Sequence, residues 1–322
     1  MLRLWDDGLE AHREEARALL PALAAYAAGE ADLPEEPVAR AQAMRARLAA
    51  FASGNVSAMA QEITVPGPAG PVPVRLFVPE RPRALFLHLH GGGWASGSAA
   101  MSDGTNERMA TEHGLVVASV EYRLAPEHPY PAGPDDCQAV AEWLLAEGPR
   151  RWGVEPLLLG GESAGAHLAL VTLLRIRDRL GMLDRVLGAN LVFGVYDVRG
   201  TPSQRGNGGH VDMLTPAGMR WFTEQFTPGM TDEQRTDPDI SPLFADLSGL
   251  PHALISVGTF DHLLDDSLFL ATRWAAAESP CELAVYPDSP HGFQALPTAI
   301  TREASARIDR WLAERLGGAP RS

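Results

Sequence analysis

The chain has 322 residues, of which 45% are apolar and 21% charged, with a formal net charge of −14. That length suits one large domain, alone or with a modest insertion, and the composition is that of an ordinary soluble globule. The acidic surplus argues against a nucleic-acid groove, an anionic membrane surface or a strongly anionic substrate. All 27 Lys/Arg positions are arginine, which excludes a Schiff-base lysine, a phosphate-loop lysine and a Ser-Lys dyad.

Residues 1–60 are rich in Ala, Arg and Glu and helical in pattern, broken at Leu33-Pro34-Glu35-Glu36-Pro37. The apolar run 16–29 resembles the core of a secretory signal. Its flank, however, carries Asp6, Asp7, Glu10, Glu14 and Glu15 where positive charge is needed, and Pro21 interrupts it. No stretch approaches the ~20 apolar residues of a membrane span. Cys137 and Cys281 lie far apart without metal-ligand spacing and read as thiols of a reducing compartment. The expectation is a cytoplasmic protein that begins with an amphipathic helix.

Ile63-Thr64-Val65 and the run Val72–Val78 flank a Pro/Gly turn and predict an antiparallel hairpin. From residue 84 apolar strands (84–89, 115–120, 157–160, 187–193, 253–257, 283–286) alternate with helical stretches (135–147, 164–178, 265–278, 299–316). Alternation of this kind predicts an α/β fold, a mostly parallel central sheet flanked by helices and joined by right-handed crossovers. An insertion rich in Gly, Pro, Thr and Asp, 198–245, carries an apolar cluster at Met219, Trp221, Phe222 and Phe226. Two units are expected: a helical cap segment, 1–55, and a main domain, 56–322, with 198–245 as a further piece of cap or lid.

The most specific signal is Gly161-Glu162-Ser163-Ala164-Gly165, which follows Leu157-Leu158-Leu159 and opens the helical pattern Ala166-His167-Leu168-Ala169-Leu170. Strand, sharp turn and helix around G-x-S-x-G describe the nucleophile elbow of an α/β-hydrolase, in which strained backbone points the serine hydroxyl into a cleft. Acyl transfer also needs a base, a group that orients the base, and donors for the oxyanion. In this fold the partners follow in the order serine, acid, histidine, each after a strand. Asp261 ends the run Leu254–Phe260, and His291 follows Leu283-Ala284-Val285-Tyr286, so Ser163, Asp261 and His291 form the candidate triad. Asp265 and Asp266 compete with Asp261 but read better as first-turn helix acids favoured by the dipole. The segment His88–Trp94, with Gly91-Gly92-Gly93 after a strand, offers bare backbone N–H groups; with the one following the serine, they make Gly92, Gly93 and Ala164 the candidate oxyanion hole.

Other residues carry a plainer alternative. His88 and His90 share a strand face but have no carboxylate or cysteine at ligand spacing, so no metal site is expected; His90 is read as bracing the glycine loop. His167 is read as a packed helix residue. Trp94, Met219, Trp221 and Phe222 are either walls of an acyl pocket or core. Glu162 is either a simple salt-bridge partner or a positioning group.

Three segments besides the elbow make the chain similar to the bacterial hormone-sensitive-lipase family of esterases, family IV of the α/β-hydrolases. They are His90-Gly91-Gly92-Gly93-Trp94, the run Tyr122–Ala132 (YRLAPEHPYPA) and Asp239-Ile240-Ser241-Pro242-Leu243. The resemblance runs from about residue 60 to the C-terminus. It implies a serine carboxylesterase for short to medium acyl esters, acting through an acyl-enzyme, with a small-molecule ester as partner, no cofactor, a helical cap over the pocket and, as often in the family, a homodimer. The same triad would also serve an amide or formamide hydrolase or an acyltransferase; a non-catalytic receptor on this fold would lack His291. Two positions depart from the family pattern: Asp261-His262-Leu263 stands where Asp-Pro-Leu is usual, and Glu162 stands where aspartate is commoner.

Overall fold

A computed structural model describes residues 4–52, 56–206 and 214–317. Residues 1–3 and 53–55 of the expected cap segment, and 207–213 of the expected insertion, lie outside the described residues. Three helices open the chain, α1 (Arg13–Ala18), α2 (Leu20–Ala28) and α3 (Pro37–Ala52). The hairpin follows as β1 (Gln61–Gly67) and β2 (Gly70–Phe77), paired antiparallel around the predicted turn. The alternating region then runs β3 (Ala84–Leu89), α4 (Asp103–His113), β4 (Leu115–Val120), α5 (Ala132–Trp152), β5 (Leu157–Glu162), α6 (Ala164–Arg175) and β6 (Val186–Val192). The insertion contributes α7 (Pro202–Arg205) and α8 (Pro216–Phe226), and the chain closes with β7 (His252–Gly258), α9 (Leu264–Ala276), β8 (Cys281–Tyr286) and α10 (Ala299–Arg315).

Among the described residues the strands form one sheet in the order β1-β2-β4-β3-β5-β6-β7-β8, parallel from β4 onward. All residues of β3 and β4 are buried, which is why these segments read as unbroken apolar runs: a parallel strand is covered on both faces. The two-residue period still sorts them. Leu85, Leu87 and Leu89 join one core with α5, α6 and α9, while Ala84 and Phe86 face a second core with α4 and α10. Helix α5 is longer than its pattern suggested, because it continues past Pro149 to Trp152. Helix α6 ends at Arg175 and passes into one π-turn, Ile176–Leu180. Among the described residues no helix is long and apolar enough to cross a membrane.

The strand order sets the position of the site. After β3 the chain moves to β4 on one side; β5 then pairs with the other side of β3. A crevice opens at the carboxyl ends of strands where the order reverses in this way, so the loops after β3 and β5 meet there.

The N-terminal segment is fastened to the main domain at several points. On α3, Arg45 donates to the carbonyls of Ala95 and Ala125 and to the Glu127 carboxylate. Nearer the start, Leu9 and Ala16 sit in the core that contains α10, and Glu15 accepts the N–H of Ala299 at the start of α10.

Candidate active site

Ser163 stands between β5 and α6 with φ +56° and ψ −121°, a strained conformation for a residue with a side chain. Its N–H donates to the Val192 carbonyl at the end of β6 (2.9 Å). The flanking glycines are required by close approach: a Cβ on Gly165 would lie 1.9 Å, and on Gly161 2.2 Å, from the Leu89 carbonyl oxygen. Only bare backbone lets the end of β3 pass so near the elbow.

The structure brings Ser163, His291 and Asp261 into one relay. Ser163 Oγ lies 3.0 Å from His291 Nε2, and His291 Nδ1 lies 2.9 Å from Asp261 Oδ2. Because the carboxylate can only accept, Nδ1 carries the proton and Nε2 is free to accept from the serine hydroxyl. Asp261 is buried, and its other oxygen accepts the N–H of Leu263 (2.8 Å), which fixes the carboxylate plane. Phe193, just after β6 with φ +36°, sets its ring edge-on to the imidazole at 4.8 Å between centroids. The sequence offered no motif for that contact.

The glycine loop crosses close to Ser163: a Cβ on Gly91 would lie 3.5 Å from Ser163 Cβ. Gly92 and Gly93 have φ +126° and +61°. Among the described residues neither of their N–H groups donates to a protein acceptor, and Ala164 occupies the first helical position, where the N–H has no intrahelical partner. His90 braces this loop. Its Nδ1–H donates to the Gly91 carbonyl (2.8 Å), its ring stacks on Tyr122 at 4.2 Å, and the Tyr122 hydroxyl donates to the His90 carbonyl (2.7 Å). Burial pushes the His90 pKa from 6.5 down to about 4, so the ring stays neutral.

Glu162 faces His88, with Nε2 at 3.3 Å from Oε2 and 3.4 Å from Oε1; His88 Nδ1 contacts Ser119 Oγ at 2.8 Å. His88 thus has organic partners on both ring nitrogens. Among the described residues the one group with metal-ligand spacing is Glu112, His113 and Asp309, and Arg108 already engages Asp309 at 2.5 Å.

Trp94 is packed in the core at 2% exposure, stacked on Phe226 at 4.5 Å, and its indole N–H donates to His167 Nδ1 (3.1 Å). His167 in turn donates from Nε2 to the Ile240 carbonyl (2.8 Å), which links the elbow helix to the Asp239–Leu243 segment. Met219 is also buried. Phe222 abuts Gly93, and Trp221 is partly buried with the Arg40 guanidinium of α3 over its ring at 5.3 Å. Trp94, Met219 and Phe222 are thus all buried in one core, in which Phe222 meets the glycine loop, and Trp221 meets α3 through Arg40.

Asp266 plays a larger part than a first-turn helix acid. It is fully buried and accepts from the N–H groups of Tyr196 and Asp197, the Thr201 hydroxyl and the Gln204 amide, which anchors the start of the insertion. Desolvation raises its pKa to about 6 against those hydrogen bonds. His262, in place of the usual proline, donates from Nδ1 to the Ser203 carbonyl (3.1 Å), while Ser203 Oγ donates to the His262 carbonyl (2.8 Å). Hydrogen bonds to the insertion thus restrain the acid loop where a ring would have done so. A second network, invisible in the sequence, centres on buried Arg175, which donates to both oxygens of Asp239 and to Asp135.

Fold and site geometry are those of an α/β-hydrolase, and comparison with known proteins narrows the class. The profile of an alpha/beta hydrolase fold family matches residues 86–295. The carboxylic ester hydrolase LipN of Mycobacterium tuberculosis is 33% identical over 267 residues, 80% of this chain and 70% of LipN. An acetyl esterase of Salmonella paratyphi A is 32% identical over 232 residues, 71% of each chain. A hormone-sensitive lipase from a metagenome library superposes with a TM-score of 0.77 at 28% identity, covering 94% of this chain and 98% of the other. The chain belongs to the α/β-hydrolase family and, within it, to the hormone-sensitive-lipase family of carboxylesterases.

Proposed function

We propose that this carboxylesterase hydrolyses short to medium acyl esters through an acyl-enzyme on Ser163. The observation that carries the reading is the unbroken relay Ser163 Oγ–His291 Nε2, His291 Nδ1–Asp261 Oδ2. His291 takes the hydroxyl proton as Ser163 Oγ attacks the ester carbonyl carbon; Asp261 holds the imidazole tautomer and stabilises the imidazolium. The N–H groups of Gly92, Gly93 and Ala164 receive the negative charge that develops on the carbonyl oxygen. The tetrahedral intermediate collapses as His291 returns the proton to the leaving alkoxide. Water, deprotonated by His291, then releases the acid by the same route.

A limited acyl pocket is supported by Phe222, whose ring rests against Gly93, and by the acetyl ester specificity in the name of the Salmonella relative. The N-terminal helix α3 and the insertion helix α8 act as the cap, joined through Arg40 and Trp221.

The test is initial-rate hydrolysis of p-nitrophenyl esters from acetate to palmitate. Wild type turns over the short members, with rates falling as the chain lengthens. Ser163→Ala and His291→Ala lose roughly four to six orders of magnitude in kcat. Either variant retaining a tenth of the wild-type rate overturns the assignment.

A further inference from the structure

The loop that presents His291 is held from outside the site. Between β8 and His291 the chain passes Asp288, a non-glycine residue with φ +52°. Aspartate tolerates this left-handed turn better than most residues. Its N–H donates to Thr259 Oγ1 (2.8 Å), and the next carbonyl, of Ser289, accepts the N–H of Phe260 (3.0 Å). The Thr259 N–H donates to the Tyr286 carbonyl (2.9 Å). The histidine loop and the acid loop are therefore laced into one unit just ahead of Asp261 and His291.

That unit has one charged handle, the Asp288 carboxylate, with a side chain 3% exposed. Two guanidinium groups from α1 close on it. Arg13 binds both oxygens, Nε to Oδ2 at 2.7 Å and Nη2 to Oδ1 at 3.2 Å, and Arg17 Nε reaches Oδ2 at 2.8 Å. Arg13 also binds Glu10 and lies over the Trp5 ring at 5.6 Å, while Glu15 caps the start of α10. The segment that supplies the clamp is thus itself fastened to the fold. A buried carboxylate stripped of both cations is left without a charge partner, and turning it out toward water moves the loop.

We infer that Asp288 and its partners Arg13 and Arg17 are positioning residues, through which the N-terminal segment holds His291 and Asp261 in register with Ser163. This rests on the reading of His291 as general base. A displacement of about 1 Å at a reacting group costs roughly 10²-fold, so loosening the clamp should act on turnover rather than on substrate binding.

The experiment measures kcat and KM on p-nitrophenyl butyrate, well below the thermal midpoint of each variant, for Arg13→Ala/Arg17→Ala, Asp288→Asn, the triple combination, and Arg13→Lys/Arg17→Lys. The expected result is a fall in kcat of about 10- to 100-fold in the double alanine variant with KM within threefold of wild type. The triple variant should lose no more than the double, and the lysine pair should recover most of the loss. A double alanine variant within twofold of wild-type kcat overturns the inference. So does a rise in KM at unchanged kcat, which would place the segment on the substrate path. If the double alanine chain does not fold, Asp288→Asn decides by the same criteria. If instead His291→Ala remains active, the site reading itself fails, separately from the clamp.

Discussion

Gly93 is where backbone geometry and cap packing converge, and Gly93→Ala tests both. The residue has φ +61°, and a Cβ there would lie 2.3 Å from Cδ1 of Phe222 and 2.5 Å from Cε1 and Cγ. Ordinary contact begins near 3.4 Å, so ring or loop must retreat by about 1 Å. The left-handed backbone costs alanine roughly 1–2 kcal/mol, and overpacking adds about 1–3 kcal/mol. Folding stability should therefore fall by about 2–5 kcal/mol. Because the part that yields includes a proposed oxyanion donor, kcat should fall roughly 10²-fold. The assay is hydrolysis of p-nitrophenyl acetate together with thermal unfolding, for Gly93→Ala, Phe222→Ala and the double variant. Removing the ring should restore several-fold of the lost kcat and part of the lost stability, leaving the backbone strain in place. A single variant within threefold of wild-type kcat refutes the donor role. A double variant no better than Gly93→Ala refutes the steric argument.

Stability should also depend on pH through buried groups. His90 and His167 are held neutral with pKa values near 4, against 6.5 when exposed, so the unfolded chain binds protons first as pH falls; their contribution is lost between about pH 6.5 and 4. Asp266, raised from 3.8 to about 6, works in the opposite direction and loses stability as pH rises through 6, but it is one group with a smaller shift. The melting temperature should therefore fall from pH 7 to pH 5, with a flatter slope in His167→Gln; an unchanged slope contradicts the assignment. Arg175→Met should destabilise by about 1–3 kcal/mol in urea titrations, since it removes the buried partner that joins Asp135 to Asp239, while Arg179 and the Tyr130 hydroxyl still reach Asp239. Adding Asp239→Asn should return part of that loss, and strictly additive losses would count against the network.

Some of these features are legible in the sequence because they depend on local rules. The elbow reads directly, since strand, strained turn and helix follow one another within a few residues and the close approach of β3 admits only glycine two residues either side of Ser163. The parallel sheet was visible as apolar runs, because strands covered on both faces need apolar residues at every position. Asp261 and His291 could be named from their places after strands. Trp94 and the cap residues could not be divided between core and pocket, because that depends on the partner surface: Trp94 is locked by His167 and Phe226, from α6 and α8, whereas Phe222 falls against Gly93.

Periodicity and turn chemistry within short windows thus carry the α/β alternation, the elbow and the chain order of the candidate triad. What holds them comes from contacts made across the fold. Arg13 and Asp288 are 275 positions apart, Tyr196 and Asp266 are 70, and Arg175 and Asp239 are 64. Asp288, Asp266 and Arg175 resemble ordinary solvated side chains until the fold removes their water. Desolvation then makes a specific partner necessary, and neither the burial nor the partner is encoded in any local stretch of chain.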